Sequence, residues 1–128
     1  MRPSAALAAA VTASAVAVAV AGCKGTPTAA DIADRAWRAH ELVVAAGERE
    51  PTCAAAGAAM QRAFDEHRQA FVEGIKLDRD RARLEAATAY IEAHEGRYKD
   101  LEDRMAALSD RCADEPTVVA VFQRMESP

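Results

Sequence analysis

His40, His67 and His94 are the three histidines of this 128-residue chain, and each follows the last by 27 positions. Neutral imidazoles are good ligands for zinc, copper or haem iron, so these side chains are the chain's first candidates for chemistry. If two helices bring His67 and His94 within a turn of one another, with Glu66 or Glu95 adding a carboxylate, a metal ion or haem can sit between them. The spacing argues against it. A zinc site needs three or four convergent ligands, and no His-x-x-x-His or Glu-x-x-His pair occurs. Covalent haem needs a Cys-x-x-Cys-His, which is also missing. The plainer expectation is core histidines, hydrogen-bonded to Tyr90, Tyr98 or a main-chain carbonyl. Ser109 and Thr117 have no positioned base, and neither a glycine-rich phosphate loop nor a nucleophile elbow is present. The chain is therefore expected to be no enzyme and to carry no cofactor, with a metal or haem site at His67 and His94 as the alternative.

The elements that must position these residues are helical. After residue 28 alternating β-branched runs are missing and alanine is abundant. Helices are expected over about 29–46, 52–76, 79–110 and 117–125, with Thr28, Thr52 and Asp78 as caps and Gly47 ending the first. Leu84, Ala87, Ile91, His94, Tyr98, Leu101, Met105, Leu108 and Cys112 recur at alternating intervals of three and four. Cys53, Gly57, Met60, Phe64, His67, Phe71 and Gly74 do the same. That 3.5-residue period is a coiled-coil seam. No proline interrupts 76–84, so one long rod is possible, but Gly74 and the Asp78-Arg79-Asp80-Arg81 cluster favour a turn. The second and third helices then form a long antiparallel hairpin, which the first and last helices cover. The fold class expected is all-α, a small antiparallel helical bundle.

The amino terminus sets the compartment. Arg2 precedes an apolar run from Ala5 to Ala21, which ends in the small pair Ala21-Gly22. That order of charged, apolar and small residues is that of a secretory signal, and an Ala/Val run of about 17 residues is a poor membrane span. Val20-Ala21-Gly22-Cys23 resembles the lipobox of bacterial lipoproteins. The resemblance implies removal of residues 1–22, attachment of diacylglycerol to the Cys23 sulfur and acylation of the freed amine. Several acyl chains make a stable membrane anchor where one would be marginal. In the resemblance to enterobacterial lipoproteins Asp after the cysteine would imply inner-membrane retention; with Lys24 there instead, the periplasmic face of the outer membrane is expected in a host that has one. Residues 23–28 read as a lipidated tether, 29–128 as the helical domain; beyond the lipobox no family resemblance is carried by the domain.

An exported chain meets oxidising conditions, so the two remaining cysteines, Cys53 and Cys112, are expected to pair. They stand at the start of the second helix and the end of the third, the same end of the hairpin; without a Cys-x-x-Cys a redox-active pair is disfavoured, and a bridge to another protein is the remaining alternative. Pairing them sets layers of Met60 with Met105, Phe64 with Leu101, His67 with Tyr98 and Phe71 with His94. Charge excludes one partner class. With 16 basic residues dispersed among 20 acidic ones and a net charge of -4, no cationic face for nucleic acid is indicated. The expected role is a non-enzymatic structural or protein-interaction module of the cell envelope. Its partners would be the membrane, an envelope protein or a second copy through the seam.

Overall fold

The computed structural model describes residues 25–128, so the signal segment, the lipobox and lipidation at Cys23 lie outside the described residues. Helix starts follow short polar side chains that satisfy the free amides of a first turn. Thr28 opens α1 (Ala29–Glu48) with a reciprocal pair: the Asp31 amide donates to Thr28 Oγ1, and the Thr28 amide to Asp31 Oδ2, both at 3.1 Å. Thr52 accepts from the Ala55 amide at 3.2 Å to open α2 (Cys53–Lys76). A 3-10 turn, Leu77–Arg79, precedes α3 (Arg81–Ala93). The cap of α3 is Asp80, which accepts from the Arg83 amide at 3.2 Å, and not the expected Asp78. Burial of Leu77 holds Asp78 in the turn. After α4 (Glu95–Arg111), Pro116 starts α5 (Pro116–Glu126) where its missing amide leaves no bond unmade.

The single third helix expected over 79–110 is two helices, broken at His94 (φ -122°, ψ 28°). The cause is local. His94 Nδ1 bonds the Tyr90 carbonyl at 2.7 Å, which is the acceptor its own amide would use in a continuous helix. The amide turns instead to the Ile91 carbonyl at 3.0 Å. Gly47 is corrected too: α1 continues through it to Glu48. A Cβ at Gly47 would lie 2.7 Å from Met60 Sδ and 2.9 Å from Leu108 Cδ2, so glycine there permits close helix approach.

The fold is all-helical and stapled by Cys53–Cys112, with an S–S distance of 2.10 Å and 5.4 Å between Cα atoms. Its closest pair of helices is α1 with α2, antiparallel, as Gly47 meets Met60 at one end and Ala36 meets Gly74 at the other. α5 lies along α2 in the same direction, bringing Thr117 onto Gly57 and Arg124 onto Asp65. α1 is fastened on its other side to α3 and α4 by a polar ladder of constant offset. Arg83 Nη2 donates to the Pro27 carbonyl (3.0 Å), Tyr90 Oη to Asp34 Oδ1 (2.6 Å) and Arg104 Nη2 to Glu48 Oε1 (2.7 Å); Arg97 Nη2 faces Glu41 Oε2 at 3.7 Å. The rungs climb seven residues at a time on both chains and run parallel, straight past the break at His94.

Because α1 takes α2 on one side and α3–α4 on the other, those two walls stand apart along most of their length. The expected layers are therefore replaced. Tyr98 stacks on Trp37 at 4.7 Å, and Phe71 lies against His40 at 4.6 Å and Phe64 at 5.0 Å. Met60 sits under Gly47, and His94 against Tyr90 at 4.2 Å. The main core, with Val43, Val44, Met60, Phe64, Val118 and Val121 fully buried, fills the half of the bundle near the disulfide. A smaller cluster of Ala29, Ile32, Ala33, Leu77 and Ala87 closes the half where the tether enters.

Candidate functional site: an apolar cavity over helix one

The gap between the two walls is a partly open cavity of about 400 Å³. Its floor is α1, with Trp37 and His40; α2 contributes Phe71 and Ile75, and Met125 of α5 closes one end. The opposite wall is the seam series read from the sequence: Leu84, Ala87 and Ile91 on α3, then Tyr98, Leu101 and Met105 on α4. These residues have the spacing of an interface, but here they line a space, because the ladder draws α3–α4 towards α1 and leaves α2 unmatched. Ile75 and Leu84 are over a third exposed and form part of the rim, with Asp78, Thr88 and Glu102 as its polar residues. No lysine or arginine lines the cavity.

The polar atoms of the floor are few and fixed. His40 Nδ1 donates to the Ala36 carbonyl at 2.7 Å, which leaves Nε2 as the acceptor of a neutral ring. Burial holds its pKa below the usual histidine range, and the Ala36 bond offsets this only in part. Burial likewise pushes the Tyr98 hydroxyl up to about 12, so it stays protonated. Trp37 is 2% exposed, and its Nε1 is buried without a hydrogen-bond partner. The Arg97 guanidinium lies 3.1 Å from the centre of the Trp37 ring, a contact favoured by the ring's negative face. Asp34 collects Tyr90, Arg38 and Arg97, and the Tyr90 hydroxyl foremost keeps its carboxyl below the usual range. These groups secure the wall that carries the break.

The residues first weighed for metal do not share this site. His67 sits half-buried on α2, His94 at the break, and neither lines the cavity. Among the described residues no three His, Cys, Asp or Glu side chains converge as a metal site. Glu66 and Glu95 are exposed. Of the histidines it is His40 that reaches the cavity. One signal in the sequence pointed there: the complementary polar residues Asp34, Glu41 and Glu48 on α1 and Tyr90, Arg97 and Arg104 on α3–α4, each series at intervals of seven.

No described helix is long and apolar enough to cross a membrane. Compared with protein families, curated proteins and solved structures, the chain matches none of them.

Proposed function

We propose that this protein is a non-enzymatic lipoprotein of the cell envelope that works by binding. It is held to a membrane through acylated Cys23, on the periplasmic face of an outer membrane. The observation that carries this reading is the placement of the cavity beside the tether. Arg83 grips the Pro27 carbonyl at 3.0 Å, four residues after Cys23, and the rim residue Leu84 is its neighbour in sequence. Four residues span at most about 14 Å, so an anchored Cys23 keeps the opening close to the lipid surface. A concave, hydrocarbon-walled space with few fixed polar atoms is the usual form of a small-molecule site.

The test is the intact mass and flotation of protein extracted from membranes of its own host. The expected result is a chain that begins at Cys23 with acyl chains attached and floats with dense, outer-membrane vesicles, while Cys23→Ser remains uncleaved and unacylated. A wild-type chain with an unmodified Cys23 sulfur overturns the anchoring. Stoichiometric metal, or a Soret band in the same preparation, overturns this reading in favour of a metal or haem protein.

A further inference from the structure

We infer that the cavity takes one hydrocarbon chain of a neighbouring membrane lipid, whose headgroup stays outside the rim. This rests on the anchored reading above, which brings the rim to the bilayer, and it names the ligand that such a site would take. Shape is the first argument. The wall residues Leu84, Ala87 and Ile91 on α3 and Tyr98, Leu101 and Met105 on α4 lie on both sides of the break, so the space runs along the helices, as a chain does and a compact ring system does not. A volume of about 400 Å³ is in the range of sites that enclose a small molecule.

Charge is the second argument. Asp78 and Glu102 are the charged side chains that line the space, with no cation among the lining residues, so a fatty-acid carboxylate would enter against repulsion with nothing to pair it. An acyl chain tied to a zwitterionic headgroup meets no such cost, because only methylenes pass the rim. The third argument is the rim itself. Ile75 is 37% and Leu84 38% exposed, two of the four large apolar side chains left most open to water among the described residues. They flank the end of α2 and the start of α3, on the side where the tether is pinned. A chain leaving the bilayer gains nothing from its own transfer between two apolar surroundings. The gain lies with the protein, since filling the cavity takes these walls out of contact with water.

Trp37 is the one tryptophan in the chain and lies on the cavity floor at 2% exposure, which makes it the reporter. The acylated protein is reconstituted in phosphatidylcholine vesicles whose acyl chains carry bromine, a contact quencher of indole emission, and compared with unbrominated vesicles. Loss of most Trp37 emission is expected only with the brominated chains. Thr88→Phe, which places a ring in the mouth, and Leu84→Glu, which puts a charge on the rim, are both at exposed positions and are checked for helicity by circular dichroism. Each should restore the emission. An unquenched Trp37 in the wild type overturns the inference, whether the space is then empty or holds the protein's own Cys23 acyl chain. Quenching that is equal in the wild type and both variants also overturns it, since lipid would then reach the indole by another route. Flotation of the same samples reads the anchor separately: a chain that does not float fails the anchoring proposal and the inference with it, whereas a chain that floats with Trp37 unquenched fails the inference alone.

Discussion

The two ends of the bundle are made from the same kind of seam and have opposite outcomes. At the disulfide end, residues three and four apart meet across helices in a filled core: Met60, fully buried, fits under Gly47, where Leu108 also packs, and α5 lays Thr117 and Val118 over Gly57 and buries Val121. At the tether end the same period continues through Phe71, Gly74, Leu84, Ala87 and Ile91, but the helices stand around a cavity. Two things separate the ends. One is the side chains on offer: Ala36 and Gly74 meet each other and bring α1 and α2 close, but Ala87 of α3 is too short to reach across to α2 as methionine and valine do at the other end. The other is the tie, since Cys53–Cys112 fixes α2 to the end of α4 whereas the far ends of α2 and α3 are joined only through the Leu77–Arg79 turn. Periodicity specifies which face of a helix turns inwards; residue volume decides whether that face meets a partner or a space.

The largest effect that can break this contrast is loss of the staple. Closing a loop whose ends are 59 residues apart is worth about 4 kcal/mol in the chain-entropy account. Urea titration of the oxidised protein and of the Cys53→Ala/Cys112→Ala variant should differ by about that much, and reduction of the wild type should match the variant. Equal midpoints would mean that the well-packed end holds itself together without the bond. Peptide mapping without reductant should recover Cys53 and Cys112 in one species.

A smaller effect compares the two ends directly. Met60→Ala removes a fully buried side chain from the filled end and should cost about 3 kcal/mol, because its neighbours cannot collapse into the void. Ile75→Ala, at 37% exposure on the cavity rim, should cost under about 0.5 kcal/mol and leave the urea midpoint almost unmoved. A cost at Ile75 as large as that at Met60 would mean that the tether end is packed as tightly as the other, and the contrast would fail.

Much of this architecture is legible in the chain. Thr28 and Thr52 are caps because a hydroxyl three residues ahead of a free amide can accept from it, and each does so. The pairing of Cys53 with Cys112 follows from placing both at one end of antiparallel helices. The break at His94 was hidden because an apolar count treats His94 as one more seam position, although its ring takes the Tyr90 carbonyl and its amide does not. His40 makes the same bond to Ala36 within an unbroken helix, so the bond alone does not break one. Choice of partner was hidden as well. The seams of α2 and α3–α4 suit each other by period, and the expectation joined them. The ladder Pro27–Arg83, Asp34–Tyr90, Glu41–Arg97 and Glu48–Arg104 joins α1 to α3–α4 instead. It becomes visible in a sequence only when polar residues are scored for complementarity at a fixed offset, as apolar ones are for period.

The smallest effect sharpens the contrast through pH, for His40 lies on the cavity floor between the two ends. Burial holds its folded pKa below the ordinary 6.5, so the unfolded chain binds a proton that the folded chain refuses over the interval between those two values. With more protons bound in the unfolded state, stability rises with pH across that interval and falls as pH drops below about 6.5. The slope reaches at most about 1.4 kcal/mol per pH unit, and above pH 7 the contribution is flat and fully present. Asp34, whose pKa is lowered, acts in the carboxylate range far below this window. Urea midpoints of the wild type and His40→Gln, measured from pH 5 to 7.5, should converge as the pH falls, because the variant has no buried imidazole to protonate. Parallel curves would mean that His40 is as well solvated as a surface histidine, and that the cavity floor is wetter than its lining of Trp37, Phe71 and Leu101 implies.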